Sequence, residues 1–131
     1  MLETSGPGLF RLKEENGVLQ LVLVNGALID TWAMKDILRA VRLYDPIGGA
    51  PVMVEQEELV RMTPEAKLLL TRVCRNTARP VAFMAYDLPE RIQGDFFARF
   101  HRPGFPFRVF DMPTKAFEWF SAFTTMVSVA R

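Results

Sequence analysis

Apolar residues fall in short strand-like runs, with helical spacing between them. The segments from Phe10 to Lys13 and from Val18 to Val24 read as two strands. Glu15-Asn16-Gly17 between them is a turn signal, so the pair predicts a hairpin. Asn25-Gly26 ends the second strand. Asp30-Thr31 then caps a helix on which Ala33, Ile37, Ala40, Val41 and Tyr44 recur on one face. Asp45-Pro46-Ile47-Gly48-Gly49 breaks it, and Pro51 to Val54 is a short buried strand.

The second half repeats the alternation. Thr63-Pro64-Glu65 is a strong helix start, with a capping threonine, a proline in the first turn and an acid against the helix dipole. Ala66, Leu69, Leu70, Val73 and Cys74 form its apolar stripe. Val81 to Ala85 is all apolar, as in a strand covered on both faces. Pro89 opens a helix whose Ile92, Phe96, Phe97 and Phe100 keep helical spacing, which predicts that they face a sheet. Pro103-Gly104 turns into a strand from Phe105 to Phe110. Pro106 lacks a ladder donor, which makes this an edge strand. A last helix carries Ala116, Phe117, Phe120 and Phe123. The order β-β-α-β-α-β-α-β-α implies an α/β fold, with a mixed sheet that starts from an antiparallel hairpin. Residues 1–8 read as a flexible leader and 9–131 as a single domain.

Composition narrows the classes of function. The chain has 131 residues, half of them hydrophobic, and a formal net charge of +1, so no global field draws it to nucleic acid or to an anionic membrane. Its one cysteine, Cys74, forms no internal disulfide and suits a reducing, cytoplasmic compartment. The first residues, Met1 to Gly8, do not read as a signal peptide, and no apolar stretch approaches the roughly 20 residues of a membrane helix.

Catalytic chemistry finds little support. The lone histidine, His101, stands before the turn at Arg102-Pro103 and lacks the partners of a hydrolytic triad. One Cys and one His do not make a zinc site. Glu55, Glu57 and Glu58 cluster after a strand, as solvated loop acids do. Gly48-Gly49 lies between a helix and a strand, the reverse of a phosphate loop. These readings predict a chain that is not an enzyme and takes no cofactor and no metal.

The stretch from Asp95 to Phe110 poses a sharper question, because Gly104, Phe105, Phe107 and Phe110 fit the RNA-binding RNP1 strand. Pro103, Pro106 and Arg108 do not fit it, and the element order is not that of an RNA-recognition domain. The aromatics are therefore expected to build core, and the chain is expected not to bind nucleic acid. Two basic rows, Lys35-Arg39-Arg42 and Arg72-Arg75-Arg79, are the remaining polycationic feature, and both read as solvated helix faces.

The pattern Asp95-Phe96-Phe97, Phe100, Pro103, Phe105-Pro106, Val109-Phe110, Ala116-Phe117 and Trp119-Phe120 resembles a family of small bacterial proteins of uncharacterised role. These are grouped with the anti-sigma-factor-antagonist-like domains (STAS/SEC14-like, SpoIIAA-like). The resemblance runs from about Phe10 to Phe123. It implies a STAS-like mixed sheet with helices mainly on one face. It also implies a non-enzymatic, regulatory protein-interaction module with a protein partner.

In STAS regulators a helix begins with an Asp-Ser pair whose serine is phosphorylated. By resemblance the matching place here is Met62-Thr63-Pro64. Thr63 stands for the serine and Met62 for the aspartate, with Glu65 following in the first turn. The residues themselves read Thr63 as a plain N-cap. The SEC14-like grouping and the abundant Phe and Met leave an alternative, a carrier of a small apolar or lipid-like ligand in a pocket between helices and sheet. The hairpin carries apolar residues on both faces (Leu19, Leu21 and Leu23; Val18, Val22 and Val24), which predicts a homodimer.

Overall fold

The computed structural model describes residues 2–5, 8–74, 79–101 and 104–129. Within them a six-stranded mixed sheet carries helices on both faces. The hairpin is formed by β2 (Phe10–Glu15) and β3 (Val18–Leu23), which pair antiparallel from Phe10↔Leu23 to Glu15↔Val18. Asn16 and Gly17 turn it in left-handed backbone conformations, with φ of 54° and 81°, where glycine carries no steric penalty. Outside β2 lies β1 (Leu2–Ser5), paired antiparallel from Leu2↔Glu14 to Ser5↔Arg11. These four residues fall in the segment that reads as a flexible leader. They carry no alternation to announce a strand, and the ladder to β2 supplies the pairing instead.

From β3 onward the sheet is parallel. β5 (Val52–Gln56) pairs with β3, β7 (Val81–Met84) with β5, and β8 (Phe107–Phe110) with β7, so each new strand is added on the same side. Between these strands run α1 (Thr31–Tyr44), α2 (Pro64–Cys74) and α3 (Leu88–Phe96), the last extended by a π-helical turn, Phe97–His101. Parallel crossovers keep one hand, so successive steps in one direction place their helices on one face. The packing agrees. Ala33, Ile37 and Ala40 of α1, Ala66 of α2 and Phe97 join one buried cluster with Leu12, Leu19, Leu21, Val52 and Val81 of the sheet. Because the strand order never reverses, the sheet has no topological switch point of the kind that opens a ligand crevice in doubly wound folds.

The last helix, α4 (Pro113–Val129), takes the other face. Its Ala116 and Phe120 pack with Val18, Met53, Ala82, Met84 and Phe110. Every residue of β7 is buried, as its unbroken apolar run predicts. β8 is the outer strand, and Pro106 just before it gives its carbonyl to the Val81 N–H at 2.8 Å.

Two expectations change. The second face of the hairpin is not an open apolar surface. Val18 is buried under α4, and Gln20 and Val22 stand opposite Lys13 and Arg11 on the same face. The row Ile92-Phe96 does not face the sheet either, since Ile92 is 59% and Phe96 50% exposed. The inward position is Gly94, and Phe97 in the π turn is buried. A Cβ on Gly94 would stand 2.7 Å from Phe83 Cδ2 and 2.8 Å from Val109 Cγ2. Contact is made through the missing side chain, which an apolar pattern does not register. The side chain of Phe100 lies outside the described residues.

Candidate partner-binding surface

Beyond the sheet, the chain after β3 and the chain after β5 continue as a pair of extended arms. β4 (Leu28–Ile29) and β6 (Arg61–Met62) pair in parallel. Gly26 N–H donates to Glu58 O at 2.9 Å, Arg61 N–H to Ala27 O at 2.9 Å and Thr63 N–H to Ile29 O at 3.0 Å. The arms therefore deliver the starts of α1 and α2 side by side. Two-residue strands are too short to leave a pattern in the sequence.

Each helix start is capped as its sequence predicts. Asp30 Oδ1 accepts from Ala33 N–H at 2.9 Å, and Thr63 Oγ1 accepts from Ala66 N–H at 3.1 Å. Each bond satisfies one orphan donor of a first turn. Ala66 is fully buried and Met62 packs against the main core, so Thr63 is held from both sides. Glu65 is exposed in the first turn, where its charge suits the dipole. Thr63, Met62 and Glu65 thus share one helix start, with Glu65 exposed and the other two partly buried. As a cap, Thr63 should respond unequally to substitution. Thr63→Ala is expected to cost about 1 kcal/mol, while Thr63→Asp costs little, because aspartate caps at least as well. Urea unfolding of both variants checks this, and equal losses would contradict it.

Beside these starts lie apolar side chains that the core leaves out. Trp32, in the first turn of α1, is 75% exposed, and Leu28 on β4 is 47% exposed. Lys35 Nζ stands 4.9 Å from the Trp32 ring centre, an exposed cation–π contact. Leu59, between β5 and β6, is also exposed and has a φ of 63°, a left-handed conformation that costs a leucine about 1 kcal/mol or more. Trp32 is absent from the residues that the sequence patterns mark. Its signal was available, since Trp32 falls outside the row Ala33, Ile37, Ala40, Val41 that faces the sheet.

The acidic cluster has local work in the fold. Glu57 accepts from Asn25 N–H at 2.9 Å and from Arg11 Nη2 at 3.0 Å, which holds its carboxyl below the usual range. Glu55 lies near Tyr86 and Glu90. Burial first, and then the Glu55 charge, push the Tyr86 hydroxyl up to about 12. Glu90 is raised by burial and by the charges of Asp87 and Glu55, against the Tyr86 N–H that lowers it. Among the described residues no three His, Cys, Asp or Glu side chains gather closely enough to hold a metal ion.

The aromatic stretch is core only in part, since Phe96 is half exposed while Phe97 is buried. Phe105 and Phe110 are buried. The Phe107 ring lies 4.9 Å from that of Phe97 and 6.4 Å from that of Phe105, and Phe110 packs 5.6 Å from Trp119. The backbone of His101 closes the π turn, and its side chain lies outside the described residues.

One basic row stands and the other does not. Lys35, Arg39 and Arg42 are exposed on α1. On the second row Arg72 is exposed and Arg75 lies outside the described residues, but Arg79 is only 5% exposed. Its Nη1 donates to Asp45 Oδ2 at 3.0 Å and to Ala50 O at 2.6 Å. It closes the α1–β5 loop from beneath and contributes no surface charge.

A family model described as "Domain of unknown function (DUF7793)" matches residues 12–124, and the chain belongs to that family. No curated protein and no solved structure matches the chain.

Proposed function

We propose that this chain is a non-enzymatic, STAS-like protein-interaction module that regulates a protein partner, and that the partner docks on the paired starts of α1 and α2. The carrying observation is the exposure of Trp32 beside Leu28 at that end of the sheet. A tryptophan in water is costly to keep and is enriched among residues that dominate protein interfaces. The order of elements, with Thr63 capping the helix that follows β6, supports the likeness to STAS regulators. In that reading Glu65 and the rim around Thr63 contact the partner, and the half-buried Thr63 serves as a cap.

The test is recovery of the partner from the native host with tagged chain. One protein should be retained in stoichiometric amount, lost with Trp32→Ala, and kept with Leu43→Ala, which removes an equally exposed residue at the far end of α1. Equal retention by both variants, or no retained protein with the unaltered chain, would overturn the proposal.

A second reading, a carrier of a small ligand, has one open cleft of mixed polar and apolar lining to draw on. Between α1, α2, α3 and the sheet the apolar spaces are about 60 and 70 Å³, far below the roughly 300 Å³ of small-molecule sites. On the opposite face a cleft of about 870 Å³ is lined by Val18, Phe117 and Phe120 together with Glu15 and Gln20. A bound small molecule in native mass spectra, displaced by Phe120→Trp, would favour the carrier.

A further inference from the structure

The solvent side of α3 is apolar. Leu88, Ile92 and Phe96 recur at i, i+4 and i+8 and are 70%, 59% and 50% exposed. At 100° per residue each lies about 120–160° round the helix from Gly94, the residue pressed against the sheet. An amphipathic helix normally turns such a row inward. Here Gly94 and Phe97 take the inward side, and the row faces out.

Charge at the margin of this row says what covers it. Arg91 and Asp95 both flank it on one side, with Arg91 Nε 3.6 Å from Asp95 Oδ2. The Arg91 charge also helps hold the Asp111 carboxyl low, which places the α3 margin beside the end of β8 and the half-exposed Met112. Beside Ile92 the margin is thus one cation followed by one anion, while exposed Asp87 and Arg99 lie at the two opposite ends of the row. It matches itself when reversed. In a two-fold antiparallel pair centred on Ile92, Leu88 faces Phe96 of the other copy. Arg91 of each copy then comes within about 3 Å, along the axis, of the other's Asp95. Two-fold contacts require this kind of self-complementarity.

We infer that α3 is a self-association face on which a second copy of this chain docks antiparallel through Leu88, Ile92 and Phe96, with Arg91 and Asp95 exchanging partners across the axis. This rests on the part of the proposed function that has the chain bind protein, and it leaves the start of α1 free for the regulatory partner. It also places the pairing on α3 and not on the hairpin, whose second face holds Arg11, Lys13 and Gln20.

The test is sedimentation velocity from low micromolar to millimolar concentration, with circular dichroism as the check on folding. The unaltered chain should pass from its mass of 14.9 kDa to twice that mass. Ile92→Glu, which sets two carboxylates face to face, should raise the midpoint at least about tenfold. Arg91→Asp and Asp95→Arg should each abolish self-pairing, and an equimolar mixture of the two should pair again. A monomer at every concentration would overturn the inference and leave the partner reading standing. A dimer indifferent to Ile92→Glu, or no pairing in the mixture of folded variants, would also overturn it.

Discussion

Replacing Arg79 by methionine is expected to destabilise the protein by about 3 kcal/mol, the largest effect of any single substitution considered. Arg79 is buried, and its guanidinium bridges Asp45 and the carbonyl of Ala50, while Asp45 Oδ2 accepts the Ala50 N–H at 2.7 Å. The pair therefore binds both polar groups of Ala50, immediately before Pro51, whose carbonyl receives the Leu19 N–H at 2.9 Å. That contact opens the register of β5 against β3. Methionine keeps much of the stem's packing, so the loss isolates the charge: a largely buried carboxylate left without its cation costs on the order of 3–5 kcal/mol, somewhat less here because Asp45 retains some solvent.

The pH dependence gives a second readout. Burial alone would raise the Asp45 carboxyl, but the Ala50 N–H, the Arg79 charge and the Gly48 N–H outweigh it and hold it below its ordinary range. A depressed carboxyl contributes stability that is present above its unfolded pKa, about 4, and is lost as pH falls through the folded value. Urea unfolding along a descending pH series should show this acid-side loss in the unaltered chain and a shallower one in Arg79→Met. An identical pH profile in both would mean that the pair is not the source.

The second large effect concerns Gly94. Gly94→Ala is expected to destabilise by up to about 2 kcal/mol. Forcing a methyl into a closed contact costs about 1–3 kcal/mol, and alanine's higher helix propensity returns about 1 kcal/mol of that. The added carbon meets Phe83 and Val109, both held in the parallel sheet, so the helix must move away from β7 and β8. Gly49→Ala is the control, because nothing stands within 4 Å of its Cβ position. Thermal unfolding of both variants measures the difference. Combining Gly94→Ala with Phe83→Leu should recover part of the loss, since the leucine vacates the space next to the new methyl. A stabilised Gly94→Ala variant would mean that α3 does not rest on the sheet through this residue.

Much of the architecture was legible because it follows from periodicity and caps. The buried face of α1, the starts at Asp30 and Thr63, the closed strand β7 and the outer position of β8 each leave a residue-level mark. Four features leave none. Leu2–Ser5 and the two-residue strands β4 and β6 are too short or too plain to carry a pattern. Gly94 acts by lacking a side chain. Arg79 continues the spacing of Arg72 and Arg75, and only the return of the chain from α2 brings it under Asp45, 34 positions earlier in the sequence. The candidate surface was half legible. Thr63 and Glu65 were visible as a helix start, whereas Trp32 looks like core by residue type and is outside it by position.

The end of the sheet carrying Trp32 is proposed to bind a protein. The most direct measurement of that binding is photo-crosslinking in the native host, with a photoreactive phenylalanine analogue placed at position 32 and, separately, at Ile47, which is almost fully exposed on the α1–β5 loop. A discrete protein adduct is expected from position 32 and none from position 47. No adduct from position 32, or the same adducts from both positions, would contradict the proposal.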